Sequence, residues 1–240
     1  MEIIQFSRQA ELRDFYSVAI SRRNLIPIIG SGFTKGEKSR FRQVPSGNEF
    51  RDIMIEQICE KSSEISSEDF KNDAYKFSEV ANEYFKRVPT IEYKKTLRNY
   101  FTEVSLSQIK KEFLKINWPY IYTLNIDDAI ENNSNYKPVR PYKKLSGFVE
   151  DMNCVFKMHG DVTEELSYDE LPNIIFSQEQ YIKSLERNAS ILNYFQSDYT
   201  SKNILFIGCS LEDELDLKYA ISTSEDIRNG SVTRIFIDIL

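Results

Sequence analysis

The chain has 240 residues, 41% of them apolar and 28% charged, with a formal net charge of −6. That length suits one α/β domain with insertions. The acidic balance argues against direct nucleic-acid binding, and no apolar run approaches the roughly 20 residues that span a bilayer. The three cysteines (Cys59, Cys154, Cys209) form no C-x-x-C pair, so neither a zinc module nor a disulfide framework is expected. No segment has the layout of an export signal, which points to a cytoplasmic protein.

In chain order, residues 7–24 place Leu12, Phe15, Tyr16, Ala19 and Ile20 at helical spacing, with Ser7 as the expected cap. The run "LIPIIG" (25–30) reads as a buried strand that ends in the glycine turn "GSGFTKG". Ser46 and Glu49 have capping-box spacing at the head of a helix over 45–61, and polar "SSEISSED" (62–69) interrupts it. From about Asp73 to Ile116 the pattern is helical, with Pro89 a natural break, so 46–117 reads as helices inserted between strands. "WPYIYTLNIDDAIE" (118–131) is a strand that ends abruptly in Asn and Asp. Basic "KPVRPYKK" (137–144) reads as a solvated loop. "NCVFKMHGD" (153–161) repeats the strand-to-polar design, and "NIIFS" (173–177) reads as a short strand. A long helix over 178–200, a strand "NILFIGCS" (203–210), a helix over 211–222 and a last strand over 233–240 complete the pattern.

Strands alternating with helices predict an α/β fold: a Rossmann-like parallel sheet flanked by helices, forming one domain over 1–240. Parallel sheets bind ligands at the carboxyl ends of their strands, and four polar motifs fall there: "GSGFT", "TLNIDD", "MHGD" and "GCS". Gly30 to Thr34, Thr123 to Asp127, His159 with Gly160, and Gly208 to Ser210 are thus expected to line one crevice. His159 is the only histidine, and imidazole is the side chain that titrates near neutrality, which makes it a candidate base. The structural alternatives are a hydrogen-bonded histidine, Asn125 as a helix cap, Asp127 as a first-turn acid and Ser210 as an ordinary cap. One histidine and scattered acids supply no recognisable metal-ligand set. The glycine turn has neither dehydrogenase nor P-loop spacing, yet it can bring backbone N–H groups close to a pyrophosphate.

Taken in order, "GSGFT", "TLNID", "MHG" and "GCS" resemble the NAD-binding core of the sirtuins, the silent-information-regulator family. The resemblance implies that Gly30, Ser31, Gly32 and Thr34 hold the pyrophosphate and nearby ribose, with Phe33 and Thr123 in the same NAD-binding segments. It implies that Asn125 places the attacking water and that Asp127 contacts the nicotinamide carboxamide. His159 would engage the ribose hydroxyls, and Gly208 and Ser210 the adenosine side.

The chain departs from the protein-deacylating sirtuins: the zinc module is missing, and "VPSGNEF" (44–50) stands near the place of a G-I-P-D-F-R segment. "ANEYF" (81–85), "HGD" (159–161) and "GCSLED" (208–213) resemble instead the sirtuin-like domains of bacterial anti-phage defence proteins, with Gly47 where that group often has Trp. This resemblance implies an enzyme that hydrolyses NAD, its substrate, to nicotinamide and ADP-ribose without a metal. An NAD-dependent protein deacylase and a non-catalytic NAD or ADP-ribose sensor are the alternatives. An enzyme that destroys NAD must be held off in healthy cells. The expected controls are a homo-oligomer, a partner subunit, a phage protein or a C-terminal sensor region, and the final apolar strand fits the N-terminal part of a longer protein.

Overall fold

The computed structural model describes residues 9–62, 64–70, 75–141, 153–167, 174–209, 215–222 and 234–237. Among these residues, six strands form one wholly parallel sheet: β1 (Leu25–Ile29), β2 (Ile121–Thr123), β3 (Lys137–Val139), β4 (Cys154–Lys157), β5 (Asn203–Ile207) and β6 (Arg234–Ile237), in the order β3-β4-β2-β1-β5-β6. Every residue of β1, β2, β4 and β5 is buried, as parallel strands covered on both faces must be. Pro27 sits inside central β1 although proline cannot donate to a ladder. The β1–β2 pairing begins only at Ile28, so Pro27 lies where β1 pairs with β5 alone.

Helix α1 (Gln9–Ser21) precedes β1; its expected cap, Ser7, lies outside the described residues. The turn after β1 closes into one helical turn, α2 (Ser31–Thr34). Between β1 and β2 come α3 (Gly47–Lys61), a 3-10 turn (Ser67–Phe70), α4 (Phe77–Arg87), α5 (Thr90–Phe101) and α6 (Gln108–Leu114). The capping box forms as the spacing predicts: Ser46 N donates to Glu49 Oε2 at 2.7 Å, and Glu49 N donates to Ser46 Oγ at 3.3 Å. Pro89 caps α5 and divides it from α4. These helices bury Phe50, Met54, Tyr84 and Leu97 in one continuous core with Leu25, Ile121 and Val155 of the sheet, so the inserted helices form one face layer of the domain. The later helices are α7 (Ala129–Asn133), α8 (Val162–Ser167), α9 (Gln178–Arg187), α10 (Ala189–Ser201) and α11 (Leu215–Ser222). The opposite face packs Ile26, Tyr122, Phe156 and Phe206 on Phe195 of α10 and Leu217 of α11.

Three expectations need correction. Lys137–Val139 is not a solvated loop; it pairs with β4 as an edge strand, where Val139 reaches the second core. The long helix over 178–200 divides at Asn188, because that buried side chain turns away to donate to Met158 O at 2.8 Å. Residues 174–177 form no strand, and only Ile175 N donates across, to His159 O at 2.9 Å. Among the described residues, no helix is long and apolar enough to cross a membrane.

Candidate functional site

The chain reverses direction across the sheet between β1 and β5, the type of junction at which open parallel sheets form a ligand crevice. Here the two strand ends meet backbone to backbone. Gly30 N donates to Ile207 O at 2.9 Å and Gly32 N to Gly208 O at 3.0 Å. A methyl group on Gly30 would sit 2.5 Å from Gly208 O, and one on Gly32 would sit 2.8 Å from Gly208 Cα. Gly208 adds a left-handed φ of +63°, and its own Cβ would lie 2.5 Å from Phe33 N. Side chains are excluded from this crossing by contact and by conformation together. The amides of Gly30 and Gly32 donate across the junction and that of Phe33 donates to Gly30 O within the turn, so these three N–H groups are engaged inside the protein.

Beside the crossing lies a cavity of about 270 Å³. Five of the expected site residues line it: Ser31 and Thr34 after β1, Asn125 and Asp127 after β2, and His159 after β4. Asn125 Nδ2 donates to Gly30 O at 3.1 Å and to Thr34 Oγ1 at 3.0 Å, and Thr34 Oγ1 donates onward to Asp127 Oδ2 at 2.8 Å. One hydroxyl therefore joins the amide and the carboxyl into a single chain. Asp127 Oδ1 also accepts from Ala129 N at 3.1 Å, so the same carboxyl anchors the start of α7. Burial pushes the Asp127 carboxyl up to about 6, and Glu131 adds to the rise. The Lys157 charge, the Thr34 hydroxyl and the Ala129 amide pull the other way.

His159 is 4% exposed, and its ring meets Tyr181 edge-on with centroids 5.4 Å apart. The next residue, Gly160, has φ +99°, a left-handed turn that carries the chain away just after the histidine. Beneath the site, Lys157 is 1% exposed; its ammonium donates to Asp127 O and lies 3.1 Å from Glu131 Oε1. Burial acts to lower the Lys157 pKa, but Glu131, Asp161 and Asp127 outweigh it and the net direction is upward.

The remaining expected residues stand behind or beside the cavity. Thr123 is buried, donates to Ile29 O at 3.1 Å and accepts from Asn125 N at 3.1 Å, so it braces the turn from below. Phe33 turns into the core against Phe113, under Lys110. Gly30, Gly32 and Gly208 make the crossing, and Ser210 lies outside the described residues.

Sequence reasoning missed the opposite wall. Phe50, Phe77, Phe101 and Phe176 form a cluster with centroids 4.9–6.3 Å apart, and with Tyr181 they close the cavity. Phe50, Phe77 and Phe101 lie on helices, and helical spacing marks a buried face but not which buried face borders a cavity. Lys157 did carry a signal: it is the one charge in the apolar run "CVFKM". Among the described residues, no group of His, Cys, Asp or Glu could hold a metal ion.

The SIR2-like domain family matches residues 119–238, which include Thr123, Asn125, Asp127, His159, Gly208 and Ser210. Comparison with curated proteins finds none that matches. With half its length matched, and with Asn125, Asp127 and His159 of the matched segment lining one cavity, the chain belongs to the SIR2-like domain family, whose domains use NAD as substrate.

Proposed function

We propose that the protein is an NAD hydrolase that cleaves the nicotinamide–ribose bond, giving nicotinamide and ADP-ribose, and that it serves anti-phage defence by depleting cellular NAD. The observation that carries this reading is the meeting of Asn125, Asp127 and His159 in one cavity beside the glycine crossing. The nicotinamide end of the dinucleotide enters the cavity, and the adenosine side extends past Gly208.

Nicotinamide leaves from a cationic ring nitrogen, so the reaction needs positioning and charge stabilisation more than a protein nucleophile. The C1′–N1 bond breaks with its electron pair going to nicotinamide, an oxocarbenium-like ribose forms, water oxygen bonds to C1′, and one proton is released. Asn125 commits its nitrogen to Gly30 O and Thr34 Oγ1, which aims its amide oxygen as an acceptor for that water. Asp127, held by Thr34 and Ala129, accepts from the carboxamide N–H and fixes the path of departure. His159 takes or shares a ribose hydroxyl proton. The aromatic wall excludes bulk water from the developing cation. Such an enzyme requires an off state, released by a change of oligomer, a partner subunit, a C-terminal sensor region or a phage protein.

Chromatography of NAD incubated with the protein, with Asn125→Ala and His159→Ala beside it, tests the reading. Nicotinamide and ADP-ribose appear in the unmutated sample, and each substitution lowers their rate at least ~100-fold, the scale of a lost positioned acid–base or water-orienting group. Equal turnover in either variant would refute that residue's role. Stoichiometric O-acyl-ADP-ribose from an acylated lysine peptide would favour the deacylase, and NAD binding without turnover under every activator tested would favour a sensor.

A further inference from the structure

A lysine buried in the middle of a sheet is costly unless something requires its charge there. Lys157 ends β4 in register with Thr123 of β2, one residue pair below the motifs that line the cavity. Its ammonium does not reach toward the cavity. It crosses under the β2 turn to the main-chain oxygen of Asp127 and to the Glu131 carboxylate on α7. The Asp127 side chain meanwhile points up, into the cavity, fixed there by Thr34 and by the Ala129 amide. One residue is thus held from both sides: its carboxyl by the site and its peptide by a cation from the neighbouring strand.

The charged groups around this point come from each element that packs on it. Asp127 follows β2, Glu131 lies on α7 and Asp161 follows β4. Arg140 follows β3 and pairs with Asp161 at 3.2 Å and with Glu164 of α8 at 3.8 Å, and His159 lines the cavity. Arg140 is held by Asp161 and Glu164. Lys157 is the cation that touches the Asp127 peptide itself.

We propose that Lys157 is a positioning residue: its ammonium clamps the Asp127 peptide and α7 against β4, and so sets the place and the charge of the carboxyl that meets NAD. The inference rests on the reading of Asp127 as an NAD-contacting group. Two consequences have opposite signs. Removing the Lys157 charge takes away an attraction that favours the Asp127 carboxylate, whereas removing the Glu131 charge takes away a repulsion that disfavours it. A brace that served only packing would move neither.

The test follows the Asp127 carboxyl by carbon-detected NMR in the full chain without NAD, and measures NAD cleavage against pH in parallel. In Lys157→Met and in Lys157→Gln, which keeps an N–H donor for the Asp127 carbonyl, the Asp127 midpoint rises from about 6 to about 7 or above. The acid limb of kcat/KM moves up with it. With the midpoint at about 7 the ionised fraction at pH 7 falls about twofold, so cleavage there falls by at least about that factor and partly returns at higher pH. In Glu131→Gln the midpoint moves below that of the unmutated protein, and this variant decides the matter if neither Lys157 variant folds. Unchanged midpoints overturn the inference even where cleavage is lost. Displaced midpoints in a protein that never cleaves NAD leave the Lys157 inference standing and refute the hydrolase reading instead.

Discussion

At the carboxyl edge of the sheet, the β1/β5 junction is made of backbone against backbone, whereas the β2/β4 side is made of side chains bonded to one another. Gly30, Gly32 and Gly208 leave no room for a methyl group. Asn125, Thr34, Asp127 and Lys157 form one connected set of hydrogen bonds. The first half is rigid because sterics permit one arrangement. The second is adjustable, because its geometry and charge depend on proton occupancy and on neighbours that substitution can alter.

The sharpest way to break the first half is Gly208→Ala. A left-handed residue and a 2.5 Å contact with Phe33 N should together cost about 3 kcal/mol or more, read as a lower urea midpoint with unchanged slope. A midpoint within error of the unmutated protein would mean that the two strand ends do not touch as described.

The second half is tested by pH. The Asp127 carboxyl is raised from 3.8 to about 6, so its contribution to stability is fully present below about pH 4 and is lost as pH rises through about 6. The loss is on the order of 3 kcal/mol. Asp127→Asn removes this titration, so its stability relative to the unmutated protein should rise across that window when urea unfolding is compared at pH 4, 5, 6 and 7. Parallel curves would place the carboxyl in water rather than in the buried chain with Thr34.

The smallest effect sharpens the contrast between crowded and open glycines. Gly47, the first residue of α3, borders the cavity, and a Cβ there would meet nothing within 4 Å. Gly47→Ala should stabilise by about 0.5 kcal/mol through the unfolded chain, seen as a small rise in Tm. Destabilisation would show that the cavity rim is tighter than its open surroundings indicate.

Much of this edge was legible in the sequence. Each polar motif follows an apolar run, and a parallel sheet brings such ends together, so Ser31, Thr34, Asn125, Asp127 and His159 could be grouped before any contact was known. The capping box at Ser46 and Glu49 is a local pattern and formed as expected. What misled was also local: 178–200 has helical composition throughout, but Asn188 serves Met158 across the fold and divides the helix. Lys137–Val139 looks like a polar loop because an edge strand needs little apolar character on its open side.

By itself the sequence determined the α/β alternation, the buried strands and the grouping of polar residues at the strand ends, because hydrophobic period and turn residues act over short stretches. Only the tertiary structure decided that Thr34 joins Asn125 to Asp127 and that the glycine amides close the junction. The aromatic wall and the reach of Lys157 beneath β2 were likewise decided there. Each of these depends on residues tens of positions apart meeting in one register, and strand order, set by the packing of the whole sheet, fixes which of them meet.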